Sequence, residues 1–147
     1  EIWSGFRVGR RAKVSGVNIE ANASRCKLIA KHNGYRYLSG RPLHTRSIIF
    51  AQGDLEVIDE IDQNSYVGKV RFHIHPSIKL VIAKTGISGS FLFPDGSEAI
   101  WKSDADQLSV ENNEYAWEFG KKIPMKTLVL HQTKRNKSIF KVKWICH

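Results

Sequence analysis

The sequence has few of the residues on which most recognisable enzyme motifs depend. It contains two cysteines, Cys26 and Cys146, one methionine and four prolines. Two cysteines make neither a disulfide framework nor a zinc-ribbon pattern, and neither a glycine-rich phosphate loop nor a Gly-x-Ser-x-Gly turn is present. Apolar runs stay short of the roughly 18 residues that a transmembrane helix needs. Cys26 lies in an apolar segment, which favours a buried free thiol; a disulfide between the two cysteines is left open.

Acidic residues are also scarce relative to basic ones. Lysine and arginine total 23 against 14 aspartate and glutamate residues, a formal charge of +9. This excess favours an anionic partner such as nucleic acid, an anionic membrane surface or an acidic polysaccharide. The first candidate substrate-binding cluster is Arg7, Arg10, Arg11 and Lys13, and Lys134, Arg135 and Lys137 form the second. The alternative is that these side chains face solvent or another part of a longer protein.

Almost every apolar segment has the period of a strand, and none has the sustained 3.6-residue period of a helix. The predicted strands are 26–32, 43–51, 55–62, 69–75, 79–84, 89–93, 98–102, 108–112, 126–131 and 138–145. Turn residues separate them at short intervals, and 15–24 is predicted as a loop. The expected fold is all-β, an antiparallel sandwich or stacked sheets with little helix. We expect residues 1–147 to form one β-domain, a C-terminal fragment of a larger protein.

Two hairpins have specific turn sequences. One joins its strands through Pro94-Asp95-Gly96, where proline supplies a negative φ and glycine a positive one. The other reverses at Gly53-Asp54 and leads into an acidic strand that carries Glu56 and Glu60. An acidic strand in a basic protein faces solvent or pairs with a basic strand, and 141–143 is the candidate partner.

Residues 69–76 combine a strand, two same-face histidines and a terminating proline. Arg71, His73 and His75 alternate with apolar residues, so their side chains share one face. Two imidazoles could bind a metal or act in acid–base chemistry, but zinc needs three or four ligands. His32, His44 and His131 could converge from elsewhere in the chain. We predict that the three residues form a structural polar row held by hydrogen bonds, with no metal bound.

The remaining chemistry-bearing residues do not assemble into a catalytic motif in sequence. Four carboxylates cluster at Asp104, Asp106, Glu111 and Glu114, a pattern that is typical of solvated loops and also compatible with glycoside chemistry. Tyr35-Arg36-Tyr37 interleaves aromatic and basic residues, yet no nucleic-acid-binding module is recognisable. We therefore assign no catalytic residue and do not expect nucleic acid as the partner.

Several short motifs in order resemble one family. The chain has His32-Asn33-Gly34-Tyr35 where that family has His-Asp-Gly-Tyr, then a His-x-Arg at 44–46 and an Arg-Phe-His-x-His-Pro signature at 71–76. Pro94-x-Gly96 followed by Trp101, and Glu111 followed by Tyr115, also match, as does the opening segment 3–12. The chain therefore resembles the C-terminal β-domain of heparinase II/III-like proteins, over nearly its whole length.

The resemblance implies a function for a longer protein. Family members pair an α-helical toroid with a C-terminal β-region and cleave acidic, uronate-containing polysaccharides by β-elimination, and a location in the cell envelope or periplasm follows. The family's catalytic Asn, His and Tyr, and its β-region metal ligands, match no position here. The resemblance implies a chain that is inactive alone, with no cofactor of its own; a divalent metal in the full-length protein is left open. The implied partners are acidic polysaccharide and the missing toroid.

Two hypotheses from different classes remain open on the sequence. The first is the accessory β-domain of a polysaccharide lyase. The second is a non-enzymatic β-sandwich that binds an anionic polymer, either a glycan or a nucleic acid.

Overall fold

The computed structural model of the chain describes residues 2–3, 7–62 and 68–145, and side chains from residue 9 onward within these ranges. Strand accounts for 66% of the chain, and the described residues contain no helix. The prediction of an all-β, antiparallel fold is therefore confirmed. No helix in the described part is long and apolar enough to span a membrane.

Thirteen strands occur within the described residues. They are β1 (Ile2–Trp3), β2 (Arg7–Val8), β3 (Val14–Ala21), β4 (Arg25–His32), β5 (His44–Ala51), β6 (Asp54–Ile61), β7 (Gly68–Ile74), β8 (Lys79–Ile82), β9 (Ser88–Leu92), β10 (Glu98–Ser103), β11 (Gln107–Glu118), β12 (Lys121–Gln132) and β13 (Lys137–Ile145). β1 and β2 pair only with each other.

The other strands form two antiparallel sheets of unequal size. The large sheet has the order β3-β4-β5-β6-β13-β10-β9-β8, and the small sheet has the order β11-β12-β7. β13, the last strand in the chain, pairs with β6 on one side and β10 on the other. This pairing joins the two halves of the large sheet. Lys141 on β13 lies 3.1 Å from Glu56 on β6, so the predicted pairing of the acidic and basic strands is present.

The core lies where the small sheet covers the large one. Period-two alternation directs Leu128 and Leu130 of β12 inward, and both are fully buried. Trp101 on β10 is also fully buried, and Phe72 on β7 stacks on Phe140 of β13 with ring centroids 4.3 Å apart. Three small-sheet strands cannot cover eight, so the face of β3, β4 and β5 extends beyond the core.

Both predicted hairpins are present, but the first reverses at Gln52-Gly53, one residue before the predicted Gly53-Asp54, because Asp54 already pairs with Ala51. Gln52 and Gly53 connect β5 to β6, with φ values of 50° and 81°, as a two-residue turn of this kind requires. Between β9 and β10, Gly96 has a φ of 86° and Asp95 Oδ1 accepts hydrogen bonds from the amide and hydroxyl of Ser97. These bonds lower the pKa of Asp95, since they favour its charged form.

Two local predictions are wrong. Segment 15–24 is not a loop, because most of it belongs to β3, an edge strand whose residues are all exposed. Its sequence does not alternate in polarity because neither face is buried, and the register shifts between Ser15 and Asn18 around Gly16, which has a φ of 57°. Cys26 is exposed rather than buried, because the small sheet does not reach β4 at this end. Cys146 lies outside the described residues.

Candidate functional site

A cleft of about 650 Å³ lies beside the core, where the large sheet extends past the small one. Strand register puts Ala30, Arg46 and Asp59 in one row across β4, β5 and β6, on the face that continues from the core. β7 is an edge strand of the small sheet, and its residues 68–71 form one wall. The loop between β4 and β5 contributes Tyr35, Leu38 and Pro42.

A chain of hydrogen-bonded side chains crosses the floor of this cleft. His32 Nε2 lies 2.8 Å from His44 Nδ1, and His44 Nε2 lies 2.7 Å from Asp59 Oδ1. Arg46 donates from Nε to Asp59 Oδ1 at 2.7 Å and from Nη2 to Oδ2 at 3.0 Å. At the outer end, the Gly34 amide donates to His32 Nδ1 at 3.1 Å. His32 and His44 lie directly opposite each other on β4 and β5, which explains their contact.

These contacts are mutually consistent in one protonation state. The Gly34 amide can only donate, so His32 Nδ1 accepts and its proton lies on Nε2. His32 Nε2–H then donates to His44 Nδ1, and His44 Nε2–H donates to the Asp59 carboxylate. A proton added to His32 Nδ1 would face the Gly34 amide hydrogen and break that bond. The network is therefore complete when both imidazoles are neutral.

Burial and charge shift two pKa values in this network. Burial lowers the pKa of His32, and the charge of Arg46 lowers it further. Burial on its own would raise the pKa of Asp59, but the hydrogen bonds from His44 and Arg46 and the charge of Arg46 outweigh it. The pKa of Asp59 consequently lies below its ordinary value. Both directions favour neutral His32 beside an ionised Asp59 at neutral pH.

A second, smaller pocket of about 400 Å³ gathers arginine side chains outside the cleft. Its lining includes Arg10, Arg11 and Arg36 together with Asn33 and Tyr37, and the described residues that line it include no carboxylate. We call it the arginine pocket. Two hydrogen bonds join its halves: the Lys13 amide donates to the side-chain Oδ1 of Asn33 at 2.8 Å, and the Asn33 amide donates to the Lys13 carbonyl at 3.2 Å.

The predicted basic residues lie at different sites in the structure. Arg10 and Arg11 line the arginine pocket, and Lys13 contributes its backbone to that pocket's frame. The side chain of Arg7 lies outside the described ones. In the second cluster, Arg135 lines the cleft and pairs with Asp104 at 3.4 Å. Their role in substrate binding stays a prediction.

The predicted polar row lies on the outward face of β7 and the residue after it. Arg71 is 3.4 Å from Glu111 on β11, and His73 Nδ1 is 2.9 Å from the Thr127 hydroxyl on β12. His75 Nδ1 is 2.8 Å from the Ser77 hydroxyl, and its ring lies against Tyr115 with centroids 5.0 Å apart. Each member thus has a hydrogen-bond partner. That these histidines bind no metal stays a prediction, and metal analysis of the purified protein tests it.

The other chemistry-bearing residues do not join the cleft or each other. His131 contacts the Ser109 hydroxyl on the small sheet, away from His32 and His44. Asp106 accepts hydrogen bonds from the amide and hydroxyl of Thr133, which lower its pKa. Glu114 pairs with Lys122 at 2.6 Å. Within the described ranges, no group of three or more His, Cys, Asp or Glu side chains could hold a metal ion.

Sequence reasoning missed three residues of these sites. Asp59 was read only as part of an acidic strand, Arg36 only as part of an aromatic–basic run, and Gln132 received no role. Strand register is the signal that could have found Asp59, since the observed turn at 52–53 puts Arg46 opposite Asp59. The predicted turn at 53–54 would instead put Arg46 opposite Ile61. Nothing local in the sequence marks Arg36 or Gln132, since each reaches its pocket through loop geometry or sheet packing.

Solved structures with a similar fold include a heparan sulfate lyase and a heparinase III. The heparan sulfate lyase HepC from Pedobacter heparinus matches with a TM-score of 0.76 and 19% identity, over 92% of this chain and 22% of that one. The heparinase III BT4657 gene product matches with a TM-score of 0.73 and 12% identity, over 91% of this chain and 21% of its own. The chain thus spans about a fifth of the length of these structures. A search of curated proteins found no matching relative.

The family model described as "Heparinase II/III-like, C-terminal" matches residues 1–144. The chain belongs to this family, which confirms the resemblance drawn from the short motifs.

Proposed function

We propose that the full-length protein cleaves an acidic, uronate-containing polysaccharide by β-elimination, and that this chain supports the fold and helps to hold the polymer. The observation that carries the proposal is the arginine pocket, in a chain of a polysaccharide lyase family. Arg10, Arg11 and Arg36 line one small concavity, which concentrates three guanidinium groups in one place. Guanidinium groups bind carboxylates and sulfates through paired hydrogen bonds, so an acidic glycan suits this pocket.

Asn33 strengthens the positive character of the pocket. The family motif places an aspartate at this position, and that aspartate would bring a carboxylate beside the arginines. Asn33 keeps the acceptor oxygen that the Lys13 amide needs without adding the charge. The local field is therefore more favourable for an anion than the usual motif would make it.

We propose that the reaction itself draws on residues beyond this chain. β-Elimination needs a base that removes the C5 proton of the uronate and an acid that protonates the leaving oxygen. His32 and His44 have both ring nitrogens engaged with protein atoms, so neither offers a base to a substrate in this state. We propose that the isolated chain is inactive and that any divalent metal belongs to the rest of the protein. A cell-envelope location is part of the same proposal, and cell fractionation tests it.

One charge substitution tests the role of the arginine pocket. Asn33→Asp preserves the oxygen that accepts from Lys13 and adds a negative charge among the arginines, so heparin-column elution should move to lower salt. Asn22→Asp is the matched control, because Asn22 Oδ1 also accepts backbone amides, those of Ser24 and Arg25. It lies at the opposite end of the β3–β4 hairpin, roughly 20 Å away by strand rise. Equal elution of both variants and the parent would contradict the proposal.

A lyase assay separates the two classes of function. The full-length protein should generate the absorbance of an unsaturated uronate from heparan sulfate, hyaluronan or another acidic polysaccharide, and the 147-residue chain should not. Salt-sensitive binding without any unsaturated product from the full-length protein would favour the non-enzymatic alternative, a module that binds anionic polymer. Product from the chain alone would refute its proposed inactivity.

A further inference from the structure

Residues 33 and 34 form an asparagine–glycine pair at the start of the loop between β4 and β5. Asn33-Gly34 is the one such pair in the sequence. In this pair the glycine nitrogen can attack the side-chain carbonyl of the asparagine and close a five-membered ring, which expels ammonia. Glycine hinders the attack least because it has no Cβ, and asparagine counts among the thermolabile residues of proteins for this reason.

His32 lies where a base for this reaction is needed. Its Nδ1 accepts the Gly34 amide hydrogen at 3.1 Å, so its lone pair faces the proton that the attacking nitrogen must lose. A Cβ at position 34 would lie 3.0 Å from this Nδ1, so the ring comes this close because the residue is glycine. His32 Nε2 bonds to His44, and His44 bonds to Asp59. A nucleophile, a base and a group that orients the base therefore follow one another in a line.

The carbonyl under attack is held by the segment before β3. The Lys13 backbone amide donates to Asn33 Oδ1 at 2.8 Å. A backbone N–H at this oxygen stabilises the negative charge that develops there when the nitrogen attacks, as the donors of an oxyanion hole do. Asn33 and Gly34 both line the arginine pocket, so water reaches the pair. Burial lowers the pKa of His32, which keeps the imidazole in its basic, neutral form at neutral pH.

We propose that Asn33 deamidates within the folded protein, with His32 as the general base, and thereby adds a negative charge to the arginine pocket. The Gly34 nitrogen bonds to Asn33 Cγ while its proton passes to His32 Nδ1 and the carbonyl electrons move to Oδ1. The oxyanion then collapses, the Cγ–Nδ2 bond breaks, and Nδ2 leaves as ammonia with the proton from His32. Water opens the succinimide ring, to aspartate at the bond from Cγ to nitrogen and to isoaspartate at the backbone C–N bond.

Either product changes the arginine pocket in the same direction. A carboxylate replaces a neutral amide beside Arg10, Arg11 and Arg36. Guanidinium groups pair with carboxylates through charge-assisted hydrogen bonds, so the new group competes with any anion for them. The affinity of the pocket for anions therefore falls irreversibly as the protein ages. The deamidation itself is independent of the proposed function, and only its effect on anion binding rests on it.

The first test compares the folded protein with an unstructured peptide of the same sequence. A fold that only holds the side chain slows deamidation, because ring closure needs conformational freedom, whereas a positioned base predicts the opposite sign. A general base contributes about 10²–10⁴-fold. We therefore expect Asn33 to deamidate at least roughly tenfold faster in the full-length protein than in a synthetic peptide of residues 28–38. Peptide mapping by mass spectrometry measures both rates and separates aspartate from isoaspartate.

The second test removes the base. His32→Gln retains a hydrogen-bond acceptor but cannot take the proton, so the deamidation rate of Asn33 should fall to that of the peptide or below. His75→Gln is the control, because His75 follows β7 and lies outside the residues that line the arginine pocket. It should leave the rate unchanged. Asn22 serves as an internal control in the same digests, since its Oδ1 also accepts backbone amides but Ala23 follows it.

A pH profile separates a base from a structural contact. The titratable and charged side chains around His32 are Tyr35, His44, Arg46 and Asp59. In the full-length protein, the deamidation rate should rise as His32 loses its proton and then level off. In the peptide, where hydroxide drives the reaction, the rate should keep rising with pH.

Each other outcome overturns a defined part of the inference. A rate in the protein equal to or below that of the peptide, an unchanged rate in His32→Gln, or parallel pH profiles refutes the built-in reaction. If His32→Gln does not fold, the peptide comparison and the pH profile of the parent decide the question. Aged protein should leave a heparin column at lower salt, close to Asn33→Asp; unchanged elution after deamidation refutes the effect on the pocket alone. A failed lyase assay removes the proposed function and leaves the deamidation standing.

Discussion

The carboxylate of Asp59 should contribute a large part of the stability of the cleft floor. Asp59→Asn keeps the shape of the side chain but replaces one acceptor oxygen with an amide that donates. Three donors from His44 and Arg46 converge on the carboxylate, at 2.7, 2.7 and 3.0 Å. The amide must therefore direct its N–H₂ at one of these donors, and Arg46 loses its counter-charge.

The magnitude follows from the burial of the two partners. Removing one member of a fully buried ion pair costs about 3–5 kcal/mol. The Asp59 side chain is 6% exposed, but that of Arg46 is 40% exposed and recovers part of its hydration. We therefore expect a loss of about 2–3 kcal/mol, and a fall in melting temperature of roughly 4–12 °C for a chain of this size.

Urea denaturation of the chain, followed by tryptophan fluorescence, measures the change, since Trp101 is fully buried and reports on the core. The midpoint should fall while the m value stays constant. Glu60→Gln is the control, because Glu60 is the next residue on β6 and is exposed; its effect should stay within about 0.5 kcal/mol. Equal stability of Asp59→Asn and Glu60→Gln would refute the reasoning.

Two further predictions concern pH and packing. The pKa of His32 is lowered from 6.5 in the folded chain, so the unfolded chain takes up a proton first as the pH falls through 6.5. The free energy of unfolding is therefore greatest above pH 6.5 and declines below it. It levels off below the pKa of His32 in the folded chain. Urea midpoints at pH 7.5 and 5.5 measure this decline. If His32→Asn shows the same decline between these two pH values as the parent chain, His32 is excluded as its source. Gly89→Ala should destabilise by about 1–3 kcal/mol or more, because a Cβ there would collide with the Trp101 ring and a strand carbonyl, whereas Gly68→Ala meets only ordinary contacts. Thermal melts of the two variants should differ clearly, and similar melts would contradict the packing argument.

Much of the local structure was predictable from the sequence. The β9–β10 hairpin follows from the turn residues at 94–96, and the β5–β6 hairpin was predicted one residue too late, at 53–54 instead of 52–53. The strand at 68–74 follows from its alternation of apolar and polar residues. The failure at β3 has the same physical basis: an edge strand with no buried face has no reason to alternate, so its sequence resembles a loop.

The sites depend on contacts that local patterns do not encode. His32, His44 and Asp59 are 12 and 15 residues apart and meet only because strand register aligns them across three strands. The family motifs contained His32 and His44, but they did not indicate that His32 is hydrogen-bonded to His44 and His44 to Asp59.

The sequence by itself determined most of the strands, the presence of both hairpins, the basic excess and the family, because each depends on neighbouring residues or on motifs in order. Only the tertiary structure decided which side chains share a pocket. Arg36 joins Arg10 and Arg11 through the loop that follows β4. Gln132 lines the cleft, and its buried amide has no hydrogen-bond partner among the described residues. Sheet size and register settle such contacts, and both emerge only when distant strands pack.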